Sequence, residues 1–226
     1  MQEFLLALPV LIVSVVAHEY AHGYAALLFG DATAAAAGRL TFNPLKHVDP
    51  WMTILLPAIL WFGSGGSFVF GGAKPVPINP ANYRGDFKRA DTIVSAAGIA
   101  ANLVLFVSFL GLSVALGIIG GALPQAGGVL AVLQRMFFWG VWLNALLAFF
   151  NLIPIPPLDG SHILYHFLPP NLARGYRQLS RYGFLLLLAL LVFLQDLFSV
   201  LLLPAYLLTE AAFGLAEPFS LQAPPF

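Results

Sequence analysis

The run His18-Glu19-Tyr20-Ala21-His22 sets two imidazoles four positions apart with a carboxylate between them. On a helix of about 3.6 residues per turn the two rings lie one above the other, and Glu19 stands about 100° round the axis. Both rings can then reach one metal ion. Zinc suits neutral imidazole, and three protein ligands leave a fourth position for water. Such an ion acidifies its water, and a neighbouring glutamate can take the proton and later hand it to a leaving amine. The rings must be neutral to bind, so this chemistry fades in acid. The competing reading is a set of polar contacts between helices. Against it, a charged residue at the centre of a bilayer is unfavourable by about 2.5–3.5 kcal/mol, and packing contacts seldom need three titratable groups so close together.

A third ligand has to come from elsewhere. The run NLIPIPPLDG at 151–160 holds three prolines, which forbid regular helix and make an extended segment. Asp159 on this stiff tether can be aimed at a metal on another helix, and Gly160 permits a close backbone approach. The alternative for Asp159 is an N-cap of a helix over 161–167.

The rest of the chain must hold these residues inside lipid. Its 226 residues are 60% hydrophobic and 9% charged, with a mean hydropathy of +0.88, whereas a soluble domain carries about 25% charge. The net charge is zero and no basic stretch occurs, which excludes nucleic-acid binding. Without cysteine there is no disulfide, thiolate nucleophile or Cys-based metal site. Apolar runs at 4–29, 92–123 and 129–153 are each long enough to cross a bilayer. The run at 4–29 lacks a preceding Lys or Arg and is too long for a signal peptide. A block at 51–62 gives only about 18 Å of helix, and the Gly/Pro-rich stretch 63–80 cannot be continuous helix. The stretch 182–215 is interrupted by Gln195, Asp196 and Pro204 and reads as one or two helices. The expectation is an all-α polytopic bundle of about 4–6 transmembrane helices, with a membrane-dipping extended or β loop near 63–80 and residues 1–226 as one domain.

Orientation follows the basic residues. Arg39 and Lys46 follow the first run, Lys74, Arg84, Lys88 and Arg89 precede the run at 92–123, and Arg174, Arg177 and Arg181 follow the fourth run. The first helix then runs outside to inside, and the 51–80 block enters from the cytoplasmic face and returns. Irregular backbone at that depth must be shielded by protein or a watery cavity.

HEYAH at 18–22 together with NLIPIPPLDG at 151–160 resembles the site-2 protease family of intramembrane zinc metalloproteases, in its compact branch without PDZ or CBS domains. The likeness extends through HEYAHGYAALLFGDATA, GRLTFNPLKHVDP and FGGAKPVPINP. It implies one Zn2+ held by His18, His22 and Asp159, with Glu19 as general base and acid. Asn151 matches a position tied to substrate handling or oxyanion stabilisation, although an Asn there could equally bond a neighbouring helix. Gly98-Ile-Ala-Ala-Asn102 resembles the family's GxxxN stretch, with Ile99 where a Pro often stands. Asn102 could donate toward the site or act as interhelical glue. The run GGAKPVPINP at 71–80 resembles a membrane-dipping loop able to clamp an unwound substrate by β-addition.

The implied partners are a membrane-protein or peptide substrate and the lipid bilayer, in regulated intramembrane proteolysis or signal-peptide clearance. The implied location is the cell membrane of a bacterium or archaeon, with the active site toward the cytoplasm. A metal transporter or a catalytically silent metal-binding scaffold would use the same ligands and is the alternative. His162 and His166 form a second pair four residues apart, read as a solvated helix face, and His47 is read as interfacial.

Overall fold

A computed structural model describes residues 2–63 and 71–225. The described residues form nine α-helices: α1 (Gln2–Leu28), α2 (Thr33–Ala36), α3 (Leu56–Gly63), α4 (Phe87–Ala122), α5 (Gly127–Leu152), α6 (Asp159–Tyr165), α7 (Pro170–Leu179), α8 (Gly183–Phe193) and α9 (Gln195–Ala216). Five stretches are long and apolar enough to cross a membrane: α1, α4, α5 with the short turn before it, α7 run on into α8, and α9. The protein is an integral membrane protein with an all-α polytopic architecture.

The bundle is built inside out relative to a soluble fold. Ser14, Asn102, Ser113, Gln134 and Asn144 are all at most 1% exposed, while Leu5, Val104, Val107, Val129, Leu185 and Val200 point outward. In lipid the outer face needs apolar atoms, so polar side chains go where other helices can satisfy them. Val10, Phe106, Phe109, Val141, Ala145, Ala205 and Ala212 form the main apolar cluster and tie α1, α4, α5 and α9 together. Gly140 lets α5 close on Phe109, since a Cβ there would lie 2.6 Å from that ring. At one end of the bundle, Glu3 of α1 accepts from Arg135 Nε (2.9 Å) and Trp139 Nε1 (2.7 Å) of α5. The one basic residue inside the α5 run therefore has an acidic partner.

A second apolar cluster, Ile153, Leu158, Leu187, Leu191 and Leu202, seats the proline-rich segment against α8 and α9. Gly183 makes room for it, because a Cβ there would lie 2.5 Å from the Pro156 carbonyl oxygen. The break between α8 and α9 falls at Leu194, just before Gln195 and Asp196. Pro204, expected to interrupt this stretch, lies within α9 instead: its missing N–H costs one ladder bond, which the flanking turns of a long helix absorb.

Of the loop expected at 63–80, residues 64–70 lie outside the described residues. Residues 71–79 are non-helical, and among the described residues they join no β-ladder. Some of their backbone groups are met by side chains and by isolated carbonyls. Gly72 N donates to Met52 O (2.9 Å) and Lys74 N to His47 O (2.8 Å). Arg39, buried, donates from Nη2 to Lys74 O (2.8 Å). At the far end Asp31, fully buried, accepts from Asn79 N (2.7 Å) and Asn82 Nδ2 (2.8 Å). His47, expected at an interface, is 3% exposed and bonded to Thr41 O.

Candidate metal centre

His18 lies ten residues before the end of α1, about 15 Å along the axis and well inside the spanning segment. The i, i+4 register brings the two rings edge to face, with centroids 4.6 Å apart at 84°. Their Nε2 atoms face each other at 3.0 Å. Asp159 opens α6, and its Oδ2 lies 3.3 Å from His18 Nε2 and 3.2 Å from His22 Nε2. The helix cap at Leu158 receives no side-chain bond: the Asp159 carboxylate reaches into the bundle.

The chemistry of these atoms fits a cation. His22 Nδ1 sits 2.7 Å from the Val94 carbonyl oxygen, which can only accept, so in the neutral ring this nitrogen carries the proton and Nε2 is bare. Asp159 Oδ2 is buried and has no hydrogen-bond partner. A bare imidazole nitrogen and a lone carboxylate oxygen in close contact repel unless a positive charge sits among them. His18, His22 and Asp159 form the group among the described residues whose ligand atoms all lie within 4.8 Å of one another. Gly98 of α4 is the floor of this pocket: a Cβ at that position would strike His22 Nε2 and lie 2.6 Å from His18 Cε1.

Glu19 points to the neighbouring face of α1, where Oε2 accepts from Val76 N at 2.8 Å. Gly23, one turn on, lets the extended loop lie flat there, since a Cβ would come within 3.0 Å of Val76 Cγ1. Asn102 is fully buried, with Oδ1 2.6 Å from His18 Nδ1 and Nδ2 2.9 Å from Asn144 Oδ1. Asn151 is half-buried, and its Nδ2 donates to Leu147 O one turn back (2.9 Å). The structure thus gathers His18, His22 and Asp159, sets Asn102 against His18, and leaves Asn151 bonded to its own helix.

The 34% identical "Putative zinc metalloprotease Rip2" of Mycolicibacterium smegmatis (strain ATCC 700084 / mc(2)155) aligns over 84% of this chain and 67% of its own length. The "Putative zinc metalloprotease YwhC" of Bacillus subtilis (strain 168) is 40% identical over 182 residues, which is 80% of this chain and 78% of that protein. The chain belongs to peptidase family M50, the site-2 protease family. The M50 model itself matches residues 116–193, which take in α5, the proline-rich segment and Asp159. No solved structure matches. As an M50 member the protein is a metalloprotease, and its cofactor is zinc.

Several contacts around the M50 site were not foreseen from the sequence. His166, read as part of a solvated face, is 6% exposed at its side chain and bonds Asp91 Oδ2 at 2.6 Å, while His162 stays 59% exposed. The buried carboxylate of α4 bonds His166 closely and meets the more exposed His162 Nδ1 at 3.8 Å. Ser14 and Asn144 extend the contacts of Asn102 into the bundle core. Polar residues within apolar runs were the available signal, but their partners on other helices are not visible in the sequence.

Proposed function

We propose that this chain is an intramembrane endopeptidase that hydrolyses peptide bonds of membrane-embedded or membrane-adjacent substrates. His18, His22 and Asp159 would hold one zinc ion, and Glu19 serves as general base and acid. The observation that carries this reading is the meeting of two Nε2 atoms and an unpartnered carboxylate oxygen, 3.0–3.3 Å apart, inside a spanning bundle. Bound zinc supplies Lewis acidity toward the scissile carbonyl and toward water.

The protein residues do the rest. Glu19 accepts a proton from water and delivers it to the leaving amine. Asn102 holds the His18 ring through its carbonyl oxygen. The Asn151 amide, now on Leu147 O, is free to turn toward an oxyanion at the cost of one exchangeable hydrogen bond. The extended run 71–79 lies beside Glu19 and offers backbone edges to an unwound substrate. The distribution of Lys and Arg supports an active site opening toward the cytoplasm.

The test is Glu19→Gln in purified, lipid-reconstituted protein. Zinc content should stay as in the wild type while cleavage of a membrane-anchored reporter disappears. Undiminished turnover by this variant overturns the assignment.

A further inference from the structure

A chain of buried hydrogen bonds runs from two backbone carbonyls to the outer nitrogen of His18. The Ser14 hydroxyl donates to Val10 O at 2.6 Å. Asn144 Nδ2 donates to Ser14 Oγ and to Gly140 O, both at 2.8 Å. Asn102 Nδ2 donates to Asn144 Oδ1 at 2.9 Å, and its second hydrogen faces Ser14 O at 3.5 Å. Asn102 Oδ1 meets His18 Nδ1 at 2.6 Å. Ser14, Asn102 and Asn144 are all fully buried.

The direction of this chain is not free. A main-chain carbonyl only accepts. Val10 O therefore takes the Ser14 hydrogen and leaves Ser14 Oγ to accept. Gly140 O and Ser14 Oγ together claim both hydrogens of Asn144 Nδ2, so Asn144 turns its oxygen toward Asn102. Asn102 must then present its nitrogen to Asn144 and its oxygen to His18. A carbonyl oxygen against Nδ1 demands a proton there, and in the neutral ring His18 Nε2 is left bare toward His22 and Asp159. Each amide in the chain has its orientation fixed by the group behind it.

We propose that Asn144, which touches neither ring nor carboxylate, is a positioning residue: it sets the tautomer of His18 through Asn102 and thereby tunes metal affinity. This rests on the zinc reading above. Gly140 O anchors the chain independently of Ser14. The serine is therefore dispensable for direction, whereas Asn144 is not. Without Asn144, Asn102 keeps only the long contact to Ser14 O and can turn its amide nitrogen toward His18, moving the ring proton to Nε2 where the metal should bind.

The experiment pairs zinc affinity, by chelator competition, with 15N spectra of labelled histidine in the metal-free protein. Removing the hydrogen-bond partner of a metal-ligating histidine costs about 10–100-fold in affinity. Asn144→Ala should lose about that much and show a mixed or Nε2-protonated ring. Ser14→Ala should change affinity by less than about threefold and keep the Nδ1–H signature. His18→Ala reports loss of the ligand itself. Wild-type binding with undiminished affinity in Asn144→Ala overturns the relay and leaves the zinc site standing. Failure of the wild type to bind, or indifference to His18→Ala, overturns the zinc site. If Asn144→Ala does not fold, the wild-type spectrum decides: a metal-free His18 protonated on Nε2 refutes the relay, and Nδ1–H upholds it.

Discussion

Val76 donates its backbone N–H to Glu19 Oε2 at 2.8 Å, so the carboxylate assigned to proton transfer is held by the loop that lies against it. Pro75 and Pro77 on either side have no N–H to give. The loop therefore offers Glu19 a donor at one position, and α1 and the loop must keep register for it to work.

Val76→Pro removes this donor while suiting an extended, proline-flanked segment. A hydrogen bond to a charged group is worth about 1.5–3 kcal/mol. The expected result is a fall of about one to two orders of magnitude in kcat/KM with zinc affinity unchanged. A Val76→Ala control keeps the N–H and should stay near wild type.

Gly98→Ala puts a methyl group against His18 and His22, where a Cβ would lie 2.6–2.7 Å from His18 ring atoms. The helices must part or the rings must turn, and zinc affinity should drop by about tenfold or more. Gly111→Ala on the same helix meets nothing within 4 Å. It should leave affinity intact and add a little helix stability, which equilibrium zinc titration and thermal melts would both record.

Asp31 ties the end of α1 to the far end of the loop. Burial pushes its carboxyl up, but hydrogen bonds from Thr33, Asn82 and Asn79 outweigh burial and hold it below the ordinary value of 3.8. A carboxyl held low in the fold stabilises fully above that ordinary value, and the stabilisation is lost as pH falls through the lower folded value. Thermal stability should therefore drop on acidification below about pH 4, and Asp31→Asn should flatten that limb. Asp31→Ala strands buried donors and should cost about 1–3 kcal/mol, with kcat falling as the loop loses its place beside Glu19. Melting curves against pH, run on both variants, check this.

The histidine pair of the candidate site was legible in the sequence because its spacing is local, while Asp159 comes from a distant helix. An i, i+4 histidine pair needs only a helix, and the prolines before Asp159 announce a rigid tether. The spans at 4–29, 92–123 and 129–153 were equally plain from apolar length, whereas the next candidate span begins at Pro170 and joins α7 to α8, the break falls at Leu194, and Pro204 is carried inside α9. What stayed hidden depends on distant partners. Val76 acts through a backbone N–H, which no side chain advertises. Asn144 meets Asn102 across 42 residues, and His166 meets Asp91 across 75. A lone polar residue in an apolar run signals that a partner exists without naming it.

The central claim is that the two histidines of α1 and the carboxylate of α6 share one zinc ion. Zinc stoichiometry and affinity of the reconstituted wild type and of Asp159→Ala test it most directly. The wild type should bind one ion per chain, with two nitrogen ligands at about 2.0–2.1 Å by X-ray absorption, and Asp159→Ala should bind at least about 100-fold more weakly. Full occupancy and unchanged affinity in Asp159→Ala would contradict the account.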